Sequence, residues 1–208
     1  YHNIAAAGAS ADITVNRFDL TGTDTYAVIT SDNGDIKASA SNHISADVVT
    51  LTARNIGTSS APMVTDVTNR LCLDSTQSGG SIYVTDQSRP ADIVFTTTGG
   101  SVNATWGTGN YLQLASGVLS GLDNQEQALT AENVYLYNRT GDITFDTYSA
   151  YGGTLSVVAL SGNINGGFHP GVADVTMSAG STTGTVYLDA VRTGTGTGAI
   201  GNTRAVVF

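Results

Sequence analysis

Three oxygen-bearing side chains lie close together in the segment TSDNGDIKA. Asp32, Asn33 and Asp35 surround a glycine, and loops rich in carboxylate and amide oxygens are typical of calcium sites. The segment lacks both the EF-hand pattern and the glycine-rich nonapeptide repeat, and a solvated turn explains the same residues. The three residues are therefore a candidate calcium site, with a solvated turn as the favoured interpretation.

Ligands for other metals are not grouped in the sequence. His2, His43 and His169 are far apart, and no pair of His or Cys residues has the spacing of a zinc site. Cys72 is the only cysteine, and its position within RLCLD is typical of a small buried apolar residue. We therefore expect neither a transition-metal site nor a cofactor.

Four tyrosines alternate with aliphatic residues in predicted strands. Because consecutive strand residues point to opposite faces, these tyrosines are predicted to point outward, where their rings could stack on sugar rings or on a neighbouring fibre. Exposed strand tyrosines without any ligand are the alternative. The candidate ligand or partner surface consists of Tyr83, Tyr135, Tyr137 and Tyr187.

Hydrolysis of polysaccharides requires clustered carboxylates, and the sequence contains no clear cluster of this kind. Lys37 is the only lysine, and the aspartates are scattered near predicted turns. The sequence also contains neither a serine-nucleophile turn nor a phosphate-binding loop. We therefore expect that the chain is not an enzyme.

Composition narrows the partners and the fold class. The 208 residues carry a net charge of −9, from 17 Asp and Glu against 8 Lys and Arg, so the chain lacks the basic surface that binds nucleic acid or anionic membranes. The sequence has no run of ~18 apolar residues, so we expect no membrane insertion. The 25 glycines and the abundant Thr and Ser disfavour helices. An all-β fold is predicted.

Apolar strand cores recur at a nearly constant spacing. The first series is spaced by 19 to 22 residues and lies near Leu73, Ile93, Leu112, Val134, Leu155 and Val175. A second series follows most members of the first by nine residues, usually after a glycine, and comprises Ile82, Val102, Ile143, Ile164 and Val186. Each period therefore contains two short strands and two turns.

This periodicity predicts a single-stranded parallel β-helix, or β-solenoid, in which each coil stacks on the previous one. We expect 20 to 21 residues per coil, roughly ten coils, and one continuous domain over residues 1–208. The RTGD segment at 139–142 is then a corner of a coil and not the tip of a hairpin. The longer polar stretch at 117–133 is expected to protrude as a loop, with a short helix over 124–129.

Most of the chain, from about Asp47 onward, carries phrases typical of one family. They are ADVVTLTARNIGTSSAPM, SGGSIYVTD, AENVYLYNRTGDITF and GVLSGLDNQEQALTAENV. These phrases resemble the degenerate repeats of large secreted bacterial adhesins of the filamentous haemagglutinin type. The resemblance implies a right-handed parallel β-helix, export across the bacterial envelope, and location at the cell surface or in the medium. The partners it implies are neighbouring coils or copies of the same fibre and host or matrix glycans.

The expected function is that of a structural, non-catalytic shaft segment of such an adhesin, serving adhesion or biofilm cohesion. One alternative is a self-assembling extracellular fibre subunit, because neither terminus has an amphipathic capping helix in the sequence, and uncapped coils can stack end to end. Two further alternatives are a carbohydrate-binding module that uses the outward tyrosines and a β-helix enzyme that degrades polysaccharides.

Overall fold

The computed structural model describes residues 2–6, 11–107, 110–122, 133–145, 154–166 and 185–190. Within these ranges 15 strands form one sheet and no helix occurs. The strands of the first half are β1 (His2–Ala6), β2 (Ile13–Asp19), β3 (Tyr26–Ser31), β4 (Ile36–Ala53), β5 (Met63–Ser78), β6 (Ile82–Asp86), β7 (Asp92–Thr98) and β8 (Val102–Trp106). The remaining strands are β9 (Asn110–Ala115), β10 (Val118–Leu122), β11 (Asn133–Asn138), β12 (Ile143–Phe145), β13 (Thr154–Ala159), β14 (Ile164–Gly166) and β15 (Thr185–Ala190). The predicted all-β class is confirmed.

The first face of the molecule is a continuous parallel ladder. It contains β1, β3, the second halves of β4 and β5, and then β7, β11, β13 and β15. Each strand between β1 and β15 in this ladder pairs with its equivalents in the coils before and after it. The inward positions that lie in register are Val49, Leu71, Ile93, Val134 and Leu155, and all of them are buried. Parallel pairing between successive coils defines a β-solenoid, so the predicted fold class is confirmed.

The second face carries a matching column of branched aliphatic side chains. Parallel pairing aligns Ile13, Ile36, Ile56, Ile82 and Val102, and it stacks Ile143 on Ile164. Burying one such side chain stabilises the fold by about 1.5–3 kcal/mol relative to leaving it exposed. Each inward side chain packs against its equivalents in neighbouring coils, so the core is continuous along the solenoid.

Residues 139–142 connect β11 to β12 as a corner. β11 pairs with β7 and β13, whereas β12 pairs with β10 and β14, so these two consecutive strands do not pair with each other. Gly141 has a φ of +93°, a conformation that glycine adopts without steric cost. The predicted corner is confirmed.

The prediction that the strand at Leu112 is one coil of the first series is wrong. β9 pairs antiparallel with both β8 and β10. Its turn to β10 consists of Ser116 at φ +52° and Gly117 at φ +78°, and two positive φ values in a two-residue turn produce a tight hairpin. Leu112 and Leu114 are nevertheless buried. The alternation of apolar and polar residues is the same in parallel and antiparallel strands.

The prediction of roughly ten coils is also wrong, because the part of the chain that the structure describes forms a solenoid of about six turns. Equivalent residues of the first face are 22 apart from β4 to β7. Between Ile93 and Val134 the interval is 41 residues, although β7 pairs directly with β11. The insert that contains the β9–β10 hairpin therefore lengthens one coil instead of adding coils.

Four further expectations concern the second half of the chain. Val186 pairs with Leu155 on the first face, so its assignment to the second series is wrong. Residues 118–122, predicted as part of a protruding loop, form β10. Residues 123–132, which include the helix predicted over 124–129, lie outside the described residues, as does Val175.

Candidate functional site

A cleft of about 420 Å³ opens on the second face of the solenoid. It lies where the coil that contains Ile56 separates β4 from β6. The polar and aromatic residues that line this Tyr83 cleft are Asp35, Lys37, Asn55, Thr58, Ser59, Ser81 and Tyr83.

A break in the second-face ladder creates the Tyr83 cleft. Ile56 bridges Ile36 and Ile82, but the chain leaves the sheet at the next residue. Gly57 adopts a φ of +64°, and a Cβ atom there would lie 2.5 Å from the carbonyl oxygen of Tyr83. Glycine at position 57 therefore allows the coil to turn outward and leaves a gap between β4 and β6.

Residues 58–61 form the outer wall of the cleft. The N–H groups of Thr58 and Ala61 each donate to the other residue's carbonyl oxygen, at 3.0 and 3.1 Å. Thr58 Oγ1 also accepts a hydrogen bond from the Ala61 N–H at 3.1 Å, while Ser59 and Ser60 are exposed at the tip. These hydrogen bonds within residues 58–61 already hold the wall in one conformation. A ligand would therefore bind without the entropy cost of ordering this segment.

Four charged side chains lie at or beside one end of the cleft. Lys37 Nζ donates to Asp12 Oδ2 at 2.5 Å, and Arg54 Nη2 lies 3.3 Å from Asp35 Oδ1. The hydrogen bond from Lys37 lowers the pKa of Asp12, and the same bond raises the pKa of Lys37. Two cations balance two carboxylates, so this end of the cleft is close to neutral although the chain carries −9.

Asn55 links three consecutive coils at the same end of the cleft. Its Nδ2 donates to Asp35 Oδ1 at 2.9 Å, and its Oδ1 accepts a hydrogen bond from the Ser81 N–H at 2.9 Å. The polar groups at this end are therefore held in place by bonds within the protein.

Tyr83 lies between two clefts. Besides the Tyr83 cleft, it borders a smaller cleft of about 110 Å³, whose lining includes Asn103 and Thr105 of the next coil. Its neighbours Ile82 and Val84 point into the core, and the Tyr83 side chain is half-buried. The two clefts share its ring, so an elongated ligand can cross it.

The other three tyrosines of the predicted surface lie on the first face. Tyr135 and Tyr187 occupy the same outward column with β13 between them, and Tyr137 follows on β11. Tyr187 is 51% exposed. Its hydroxyl donates to the Asp189 carboxylate at 3.3 Å, and the charge of that carboxylate raises the pKa of Tyr187. The structure groups these three residues and places Tyr83 apart from them.

The predicted calcium residues do not share one set of contacts. Asp32 and Asn33 are exposed, whereas Asp35 is half-buried and its Oδ1 faces Arg54 and Asn55. Within the described ranges, no three His, Cys, Asp or Glu side chains are grouped so that they could hold a metal. Calcium binding at residues 32–35 stays a prediction, and it would require Asp35 to exchange Arg54 for the ion.

The contacts of His43 and the burial of Cys72, which both lie inside the described ranges, favour structural roles for these two residues. His43 Nδ1 lies 2.6 Å from Asp19 Oδ1, and Arg17 bonds to the other oxygen of the same carboxylate. The hydrogen bond with His43 is the main cause that lowers the pKa of Asp19. Burial raises the pKa of the half-buried Cys72 thiol, which disfavours the reactive thiolate. His169 and the side chain of His2 lie outside the described residues.

Asp86 is a buried carboxylate that the sequence did not distinguish from the other aspartates. It is 1% exposed. Its Oδ2 accepts hydrogen bonds from Thr65 Oγ1 at 2.6 Å and from the Val67 N–H at 3.2 Å, and its Oδ1 accepts one from the Ser88 N–H at 3.0 Å. Burial raises the pKa of Asp86 to about 6. The three donors hold this corner of the coil on Asp86 through hydrogen bonds. Because all three are neutral, no positive charge compensates for the loss of water around the Asp86 carboxylate.

Comparison of the chain with models of protein families, with curated proteins and with solved structures found no match. The part of the chain that the structure describes contains no helix long and apolar enough to span a bilayer. Functional inference therefore depends on the geometry of the coils, on the Tyr83 cleft and on the resemblance carried by the repeat phrases.

Proposed function

We propose that the chain is a structural, non-catalytic shaft segment of a secreted or cell-surface filamentous adhesin. A shaft must hold a distant binding region away from the cell, so it needs bonds that run from coil to coil. The observation that carries the proposal is the set of such bonds, made by both the backbone and the side chains.

The backbone contributes the parallel ladders of both faces. Their hydrogen bonds run from one strand to its equivalent in the next coil, at a spacing of about 4.8 Å. Tension along the solenoid is therefore shared by all the hydrogen bonds between two neighbouring coils. Such an arrangement favours a load-bearing role.

Buried polar side chains at the corners add further bonds between coils. Ser75 Oγ donates to the Arg54 carbonyl oxygen of the preceding coil at 2.6 Å. Asn138 Oδ1 accepts a hydrogen bond from the Gly99 N–H at 2.8 Å. Side-chain atoms thus satisfy backbone groups that the ladders leave unpaired at the turns.

Arg139 forms the longest of these connections. It donates through Nη1 and Nη2 to the two carboxylate oxygens of Asp74, at 2.7 and 2.8 Å. Asp74 lies on β5 and Arg139 follows β11, with β7 between them in the ladder. This bidentate pair therefore spans two coil steps.

The chemistry of the Tyr83 cleft favours a non-catalytic role. Glycoside hydrolysis needs a carboxyl group that stays protonated to act as an acid. Asp12 has a lowered pKa because of its hydrogen bond with Lys37, and Asp35 faces Arg54. The lowered pKa of Asp12 is the opposite of what an acid catalyst requires.

The repeat phrases that resemble those of filamentous haemagglutinin-type adhesins support the cellular context of the proposal. The proposed function is tested by determining where the chain is located in the source organism. An antibody raised against the chain should label intact, unpermeabilised cells or the culture medium, while an antibody against a cytosolic marker should label only lysed cells. Label that appears only after lysis, together with the marker, would refute the proposed function.

A further inference from the structure

We propose that the Tyr83 cleft and the smaller cleft beside it form one lateral binding site for a neutral oligosaccharide. The inference goes beyond the shaft function and does not rest on it. It follows from an aromatic ring between two clefts, from fixed polar groups at one end, and from local charge balance.

The ring of Tyr83 supplies the apolar platform of the site. It is the aromatic side chain that lines both clefts, of about 420 and 110 Å³. The apolar face of a sugar ring packs on an aromatic face, while its hydroxyl groups remain free at the edge. The larger cleft falls within the ~300–1,000 Å³ that small-molecule sites occupy.

The polar end of the Tyr83 cleft supplies partners for hydroxyl groups. Asp35 contributes a carboxylate, Asn55 an amide and Ser81 a hydroxyl, and Lys37 contributes an ammonium group. Hydrogen bonds between hydroxyls and ionised groups are roughly twice as strong as those between neutral groups. Asn55 fixes Asp35 through its 2.9 Å hydrogen bond, so little ordering is needed when a ligand binds.

Charge balance selects a neutral ligand. Asp12 pairs with Lys37, and Asp35 pairs with Arg54. An anionic or cationic ligand would have to compete with one of these pairs, and an anionic one would also be repelled by the net charge of −9. A polyhydroxylated neutral ligand can accept and donate hydrogen bonds without breaking either pair.

The continuity of the two clefts points to an oligosaccharide in preference to a single sugar. Ser59 and Tyr83 line both of them, and Thr85, Asn103 and Thr105 extend the polar lining into the next coils. A chain of linked sugars can therefore lie across Tyr83, with one ring on the aromatic face and its neighbours in the flanking clefts.

The test is a printed array of neutral gluco-, galacto-, manno- and chito-oligosaccharides, of two to six sugars, with sialylated and sulfated glycans on the same array. The wild-type chain is expected to bind at least one neutral series. Tyr83→Ala is expected to weaken that binding by at least tenfold in titration calorimetry, while Tyr83→Phe, which keeps the ring, retains it within about threefold. Tyr26→Ala, which removes an exposed tyrosine from β3 on the first face, is the matched control and should bind as the wild type does.

Circular dichroism and thermal melting establish that each variant is folded. If Tyr83→Ala does not fold, Ser59→Arg takes its place, because Ser59 is exposed in the wall and a long side chain there obstructs both clefts. Absence of binding to every neutral oligosaccharide overturns the proposal, and so does binding confined to the anionic glycans. Undiminished binding by the folded Tyr83→Ala or Ser59→Arg variant would place the sugar elsewhere and would overturn it as well.

Discussion

At the scale of single residues, the buried carboxylate of Asp86 links stability to pH. Its pKa is raised to about 6 in the folded chain, above the value of about 3.9 expected after unfolding. A raised folded pKa means that the folded state binds the proton more tightly. The stabilisation is therefore complete below pH 3.9 and is lost as pH rises through 6.

We expect the wild type to lose about 1–1.5 kcal/mol of unfolding free energy between pH 5 and 7.5 through this group. Asp86→Asn removes the titration, so the variant should lack this decrease. Urea unfolding of both proteins at several pH values measures the difference. The pKa values of Asp12 and Asp47 are lowered, so these two groups change the free energy of unfolding only below the range of pH 5 to 7.5. A constant difference between the two proteins from pH 5 to 7.5 would contradict the assignment.

Within the described residues, the side-chain bond that spans the most coils is made by Arg139. Its bidentate pair with Asp74 is partly shielded from solvent, with side-chain exposures of 37% and 29%. We expect Arg139→Ala to lower the unfolding free energy by about 1 kcal/mol, and a double-mutant cycle with Asp74→Ala to assign most of that loss to the pair. Arg17→Ala, which removes a more exposed pair with Asp19, is the control and should leave stability unchanged. Equal effects of Arg17→Ala and Arg139→Ala in urea unfolding would contradict a special role for Arg139.

At the scale of elements, the Tyr83 cleft depends on one glycine at the point where a coil leaves the sheet. Gly57→Ala places a Cβ atom 2.5 Å from the Tyr83 carbonyl oxygen and forces alanine into a φ of +64°. Gly79→Ala is the matched control, because Gly79 has a similar φ of +74° but open space around it. Strain from φ alone costs of order 1 kcal/mol.

We therefore expect Gly57→Ala to destabilise the fold by clearly more than Gly79→Ala, by about 2 kcal/mol or above. The cleft should also close or distort, which a change in the near-ultraviolet spectrum of nearby Tyr83 can report. Thermal unfolding of the two variants side by side is the measurement. Equal melting temperatures would show that position 57 is not crowded.

The elements also show how far the sequence could predict the fold. The recurrence of apolar triplets with glycine between them was sufficient for the solenoid and for the corner at 139–142. The β9–β10 hairpin was missed because inward Leu112 and Leu114 alternate as any coil strand does, and the informative signal was the Ser116–Gly117 turn. The Tyr83 cleft was not predictable from the local sequence pattern, because the atom that excludes a side chain at Gly57 is a carbonyl oxygen of the following coil.

At the scale of the whole molecule, the two faces differ in how they accommodate the insert. On the second face β9 and β10 lie between β8 and β12, whereas on the first face β7 and β11 are direct neighbours. The first face therefore stays in register across a 41-residue coil. An unbroken first face would transmit tension past the insert, as the proposed shaft requires.

The most direct test of this account is a pulsed electron paramagnetic resonance distance between nitroxide labels on Val28→Cys and Tyr135→Cys, in a chain that carries Cys72→Ser. Both positions lie in the outward column that runs through Thr50, Cys72 and Val94. Four coil steps of about 4.8 Å predict a narrow distribution near ~19 Å between the two Cα positions. A distance near ~29 Å would mean that the insert adds two strands to the first face as well, and a broad distribution beyond ~40 Å would contradict the stacked solenoid itself.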